Sequence, residues 1–356
     1  MAAFAHWCVV ADQIAATTKK LEKSAILAAY LPGLDDDDLP IACRFFAGAP
    51  FPFSDERVLQ VGGAIMRDAV LQIAGFSADT WHRLTVEWGE SGLAAAQVLA
   101  GHIASTSSLG LGDVLAIYEG LHAARGPTRK TPLLIDALRR CTILEAKYLI
   151  KIMGGDLRIG LQEGQLEDAL ARLARVPVAE VQWTNMLLGD IGETALLLRH
   201  GRHGDARMRL FHPLKFMLAS PLHDATEIRR SIPGAFFVED KYDGIRAQVH
   251  KQGARVAIFS RTLDQVTHRF PELLAPLLSL PGELILDGEI LAARGERILP
   301  FKDLQSRLGR KEVSATLQTE VPVVFVAYDI LYHDGDVLLG RPLSERRRRL
   351  EALPWT

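Results

Sequence analysis

Cysteine is nearly missing from this chain: 356 residues carry three, Cys8, Cys43 and Cys141, without paired spacing. That excludes a disulfide framework or a four-cysteine zinc site and fits a reducing cytoplasm. No run of eighteen apolar residues occurs, and no basic stretch followed by an apolar core opens the chain, so neither export nor a membrane span is expected. Internal repeats and low-complexity tracts are absent. There is no excess of either charge, the formal net value being -2, so any nucleic-acid footprint must be a local patch. With 48% hydrophobic and 24% charged residues, the composition is that of a soluble protein with room for two cores.

What is present falls into two halves. Apolar residues recur at helical spacing through Val58, Leu59, Val61, Ile65, Val70 and Ile73, again through Leu93, Val98 and Leu99, and through Leu133, Leu134, Leu138, Ile143 and Leu144. A helical region is predicted. Ser54-Asp55-Glu56 and Asp79 read as helix starts, Thr131-Pro132 puts proline at a first helical position, and Gly75, Gly101 and Gly126 stand where helices stop. Periodicity lapses in 200–209, where His200, His203 and several glycines and arginines collect. The expected division is a helical domain over 1–205 and a second domain over 206–356. The acidic run Asp35-Asp36-Asp37-Asp38 reads as a solvated loop.

The second half carries the chemistry. Lys241-Tyr242-Asp243-Gly244-Ile245-Arg246 follows the apolar stretch Ala235-Phe236-Phe237-Val238, and beyond it Ile245, Ala247 and Val249 alternate with polar residues. This reads as strand, tight turn, strand. A solvated lysine on a hairpin would give the same four-position pattern, so the neighbours decide. Leu284-Ile285-Leu286-Asp287-Gly288-Glu289-Ile290 is a buried-type strand whose two acids, two positions apart, share a face. Paired acids on an apolar strand call for a cation, or for a salt bridge to nearby arginines. A lysine amine near anionic oxygens can become a nucleophile toward phosphorus, which points to nucleotidyl transfer.

Taken together, Glu239, Lys241-Asp243-Gly244-Arg246, Ser260-Arg261, Asp287-Gly288-Glu289 and Tyr328-Asp329 followed by Tyr332 and Gly335 resemble, in order and spacing, the covalent nucleotidyltransferases and within them the ATP-dependent DNA ligases. The resemblance implies a multidomain fold, α and α+β: an all-helical DNA-binding domain followed by part of an α+β adenylation domain of nucleotidyltransferase, ATP-grasp-like type. It implies that Lys241 attacks the α-phosphate of ATP and holds AMP, that Glu239 accepts from the adenine amino group, and that Tyr328 stacks on the base. Arg246 and Arg261 are implied as ribose and phosphate contacts, and Glu289 as a ribose or Mg2+ ligand. A free lysine must be pulled down by about three pH units, on the order of 4 kcal/mol, to be neutral near pH 7. Cationic Arg246, Arg261 and magnesium are the expected source.

Two further segments resemble the family. Gly154-Gly155-Asp156-Leu157-Arg158-Ile159-Gly160-Leu161 is similar to a loop whose amides and arginine grip DNA, which marks Arg158 and Gly160 as DNA contacts. A plain interhelical turn has the same composition. The basic residues Arg125, Arg129, Lys130, Arg139, Arg140, Lys147 and Lys151 precede it. Phe301-Lys302-Asp303-Leu304-Gln305-Ser306-Arg307, with Arg310 and Lys311 after it, reads as a short amphipathic helix whose Arg307 would reach a nick. Family members continue past the position of Thr356 with a glutamate-bearing strand, a two-lysine strand and a small barrel, so the resemblance implies a truncated chain. Nicked duplex DNA is the expected partner, and a cytoplasmic monomer the expected state. An RNA ligase, a GTP-using capping enzyme and a DNA-binding fragment without chemistry share parts of the pattern.

Overall fold

In this computed structural model the described residues are 2–52, 55, 57–217, 219–295, 297–308 and 313–355. The helix start read at Ser54 and Glu56, and the basic pair Arg310 and Lys311, lie outside them. Two compact units divide the chain, Met1–Arg207 and Met208–Thr356.

The first unit is helical throughout its regular structure, from Phe4–Ala16 to Ile191–Arg199. Its centre is aromatic. Phe4, Trp7, Phe45, Phe46, Tyr118 and Tyr148 interlock, with Trp7 and Phe46 ring centroids 4.6 Å apart and Tyr148 edge-on to Trp7 at 5.6 Å. Edge and offset contacts suit the ring quadrupoles. The polar tips are satisfied inside the core: Trp7 donates to the Ala42 carbonyl at 3.3 Å and Tyr118 to that of Leu149 at 3.0 Å. Local chemistry sets the helix ends. Thr142 and Glu145 cap Ile143–Met153 reciprocally, and Asp190, itself held by Arg44, caps Ile191–Arg199.

Two expected helix starts move. The cap of Ala78–Trp88 is Ser77, whose hydroxyl accepts from Thr80 N–H, and Asp79 sits in the first turn. The helix expected to begin at Pro132 begins at Pro127, leaving Pro132 inside Pro127–Arg140. Pro127 already occupies the position where a missing N–H does no harm, and Pro132, near the same end and exposed, forfeits one further bond.

The second unit is built on an antiparallel sheet. Strands β1 (Ile245–Gln252), β2 (Arg255–Ser260), β3 (Leu284–Arg294), β4 (Arg297–Ile298), β5 (Val323–His333) and β6 (Asp336–Val337) run in the order β2-β1-β3-β5-β6, with β4 paired to β3. Side chains alternate across it. Ala247, Val249, Ile258, Leu286 and Ile290 face a core completed by Phe270, Leu273, Leu277 and Leu350. The register sets Arg246 opposite Glu289 and Gln248 opposite Asp287 on the other face. There the polar side chains bind backbone: Gln248 accepts from Leu214 N–H at 2.8 Å, and His250 Nδ1 accepts from Phe211 N–H at 2.9 Å while its other nitrogen bonds Gln248 at 2.7 Å. Residues 211–214 are thereby pinned to β1. Burial, with the charge of His212, lowers the His250 pKa to about 3.

The strand expected over 235–238 is not formed. Those residues carry no regular structure and are exposed, Val238 by 87%. An apolar run becomes a strand only when a neighbour takes up its N–H and C=O groups, and the sheet described here pairs other segments.

Candidate active site and DNA-contact loop

The turn 241–244 leads directly into β1, and its closest tie to the sheet is Gly244. The Gly244 N–H donates to Glu289 Oε1 at 3.1 Å. A Cβ at Gly244 would lie 2.3 Å from the Ile290 carbonyl oxygen and 3.0 Å from Glu289 Cγ. Only glycine brings the backbone this close to β3. Lys241 is exposed, its amine 3.4 Å from the Tyr242 carbonyl.

Beside this turn, Arg246 forms a fork with Asp287, Nη2 to Oδ2 at 2.7 Å and Nε to Oδ1 at 3.3 Å, and donates to the Met217 carbonyl at 2.7 Å. Its guanidinium lies 4.6 Å from the Phe216 ring centroid and 5.9 Å from that of Tyr328. Tyr328 donates to Asp287 Oδ1 at 3.2 Å. The ladder between β3 and β5 steps over this tyrosine: Gly288 pairs with Ala327 and Asp287 with Asp329, leaving Tyr328 as the extra residue of a bulge. A bulge re-aims a side chain, here onto the face that bears Asp287.

The charges are mutually felt. Burial raises the Glu289 carboxyl above its ordinary value, opposed by the Gly244 N–H and the positive charges of Lys241 and Arg246, and reinforced by Asp287. Burial likewise raises the Tyr328 phenol, helped by Asp287. For Arg246, burial pulls the pKa down, but the bond to Asp287 and the surrounding negative charge carry it above its usual value. Arg246, Glu289 and Tyr328 thus converge with Asp287, and the turn bearing Lys241 is seated on Glu289 through Gly244.

The other expected site residues lie variously. Glu239 is exposed and pairs with Arg347 of the helix Leu343–Glu351 at 3.2 Å. Arg261 sits exposed in the turn after β2, with Ser260 and Thr262 hydroxyls bonded beside it at 2.9 Å. Phe216, Met217 and Arg347 were missed by sequence reading; nothing in the local pattern links them to Arg246 or Glu239.

In the helical unit the loop 154–161 is held from several sides. Arg158, at φ +48, donates to Asp156 at 2.9 Å and to the Gly89 carbonyl, yet keeps half its side chain exposed. Gly160 is also left-handed, at φ +61. Lys151 donates to the Leu157 carbonyl at 2.8 Å and pairs with Glu90 at 2.9 Å. The basic run is therefore divided: Lys130, Lys147 and Lys151 are engaged internally, by the Leu59 carbonyl, Asp12 and Glu90, whereas Arg125, Arg129, Arg139 and Arg140 are exposed.

Arg307 is a correction. It is 0% exposed, paired with Glu272 and donating to the Arg269 and Val321 carbonyls at 2.8 and 2.9 Å. A guanidinium so enclosed cannot reach a phosphate without giving up Glu272 and both carbonyls together. It serves as an internal tie.

Known proteins agree with this layout. Residues 216–354 match the family described as ATP dependent DNA ligase domain, and residues 3–171 that described as DNA ligase N terminus. A helical unit followed by an antiparallel sheet carrying a lysine turn is thus a ligase nucleotidyltransferase layout. The chain belongs to the ATP-dependent DNA ligase family. It is 46% identical over 342 residues to a probable DNA ligase of Koribacter versatilis, covering 96% of this chain and 59% of that relative. With a DNA ligase of Methanoculleus marisnigri it shares 34% over 359 residues, covering 98% of this chain and 65% of the relative. A solved structure named Pmar-Lig_Pre, 16% identical, has the same fold at a TM-score of 0.51 over 97% of this chain and 62% of that one. The chain thus spans between about two fifths and two thirds of the length of the curated relatives it matches.

Proposed function

We propose that this chain carries the DNA-gripping and lysine-nucleotidylating parts of an ATP-dependent DNA ligase that seals nicks in duplex DNA. The observation that carries the reading is the seating of the 241–244 turn on Glu289, with the Arg246–Asp287–Tyr328 cluster alongside. The unit Met1–Arg207 is read as the DNA-binding part and Met208–Thr356 as the adenylating part.

In this reading the Lys241 Nζ lone pair attacks the α-phosphorus of ATP, the bond to the β-phosphate oxygen breaks, pyrophosphate departs, and the amine gives up a proton. The 5′-phosphate oxygen at a nick then displaces lysine from phosphorus, and the 3′-hydroxyl displaces AMP in forming the phosphodiester. Positioning and charge neutralisation dominate such transfers. Tyr328 and Phe216 offer aromatic faces for a base, Glu239 an acceptor for its amino group, and Arg246 and Arg261 cations for ribose and phosphate.

Among the described residues no three His, Cys, Asp or Glu side chains group as a metal site. A single half-buried carboxylate still fits magnesium, which commonly takes one or two carboxylates and completes its shell with phosphate oxygens and water. Glu289 would hold it, and bound magnesium would neutralise charge on the leaving pyrophosphate. Among the described residues no helix is long and apolar enough to cross a membrane. We take a cytoplasmic monomer from the family resemblance.

The test is intact-mass analysis after incubation with ATP and magnesium, with GTP as competitor. Gain of one AMP, lost in Lys241→Ala, is expected. Nicked-duplex binding with no label taken would leave only a binding module, and preference for GTP would end the ATP reading.

A further inference from the structure

Resting on the reading of 154–161 as the DNA-gripping loop, we propose that Lys23 is the positioning residue that aims the Gly160 amide at a DNA phosphate. Lys23 lies in the helix Lys20–Tyr30, more than a hundred residues away in sequence, and is 4% exposed. Its ammonium donates to the Ile159 carbonyl. A trans peptide is planar with C=O and N–H antiparallel. Pulling the Ile159 carbonyl inward therefore turns the Gly160 N–H outward. Among the described residues that N–H has no acceptor within the protein.

The peptide two residues earlier repeats the device. Lys151, 6% exposed, draws in the Leu157 carbonyl, and the Arg158 N–H on the opposite side is taken by Asp156 at 3.0 Å. Two buried ammonium groups thus fix alternate carbonyls of one short loop. Gly160 is required twice over: its φ of +61 favours glycine, and a Cβ there would stand 2.9 Å from Lys23 Nζ. Being enclosed, Lys23 neutralises no phosphate itself; it decides where a neutral donor points.

The experiment measures nicked-duplex affinity of the full chain across a salt series for wild type, Lys23→Met, Lys151→Met, Gly160→Ala and Arg158→Ala, with thermal unfolding as the folding check. Lys23→Met is expected to bind about tenfold more weakly, the scale of a charged donor withdrawn from a buried acceptor. Its salt slope should stay at the wild-type value, because no phosphate contact is removed, whereas Arg158→Ala should lower the slope by about one. In a Gly160→Ala background the Lys23 substitution should add little, since both act on one peptide. Should Lys23→Met not fold, Lys151→Met removes the companion tether and is expected to weaken binding likewise. Wild-type affinity in a folded Lys23→Met protein overturns the proposal, as does a slope reduced as far as in Arg158→Ala. If instead Arg158→Ala and Gly160→Ala both bind normally, the loop reading itself fails.

Discussion

The two candidate sites are held very differently. In the helical unit the loop 154–161 is tethered by Lys23, Lys151, Asp156 and Gly89, each bond closed within that unit. In the sheet unit the acids and Arg246 are fixed on β1 and β3, but among the described residues the segment bearing Lys241 is bonded to them through the Gly244 N–H, with Glu239 paired to Arg347 of the helix Leu343–Glu351. In the proposed reading, a DNA-gripping surface can be rigid before its ligand arrives, whereas a lysine that would receive, carry and hand over a nucleotide sits on a segment with few ties. Rigid placement and covalent relay make opposite demands on backbone.

The contrast breaks first at Lys241. Lys241→Ala and Lys241→Arg should abolish AMP labelling measured by intact mass, with DNA binding retained; any label on another residue would shift the chemistry elsewhere. Gly244→Ala comes next. Its Cβ would meet the Ile290 carbonyl at 2.3 Å, so the turn should lift off Glu289 and labelling fall at least tenfold, while overpacking removes about 1–3 kcal/mol from the sheet unit and none from the helical one.

A pH titration sharpens the distinction. His250 has a folded pKa near 3 against an ordinary 6.5, so the unfolded chain binds the proton first and stability is lost as pH falls below 6.5. Between pH 7 and pH 5 the loss should be about 2 kcal/mol, confined to the sheet unit, and should flatten in His250→Gln; equal loss in both units would point to other groups. Arg158→Ala should weaken nicked-DNA binding by about tenfold, leaving AMP labelling alone. The smallest effect is expected from Arg347→Ala, an exposed pair worth less than about 1 kcal/mol in the unfolding midpoint. A larger change would mean the Lys241 segment is held more firmly than its contacts suggest.

Much of the site was legible as strings. Lys241 and the paired acids Asp287 and Glu289 stand out by local pattern, whereas Arg246 and Tyr328 are singled out by the family resemblance. Their convergence was not legible in the same way. It depends on β1–β3 register, which sets Arg246 against Glu289 and diagonally near Asp287, and no one-dimensional period encodes register. The errors share a cause. The run 235–238 has strand composition but finds no partner in the sheet, and Arg307 has the spacing of a solvated face yet turns inward to Glu272. Lys130, Lys147 and Lys151 look like one basic face with Arg139 and Arg140, but long-range carbonyls and carboxylates claim the lysines. Side chains that find partners dozens of residues away leave no mark on hydrophobic periodicity. Lys23 is the extreme case.

The bulge at Tyr328 makes replacing that residue and excising it two separate operations. Replacement by alanine keeps the miscounted ladder and exposes an empty position beside Asp287. Excision would let Ala327 and Asp329 follow one another against Gly288 and Asp287, leaving the second step of the ladder, at Leu331, as it is. Such a shortened protein would regain a regular local ladder while giving up the ring and its bond to Asp287, so the strand's own pairing and the cluster beside it pull in opposite directions at one residue.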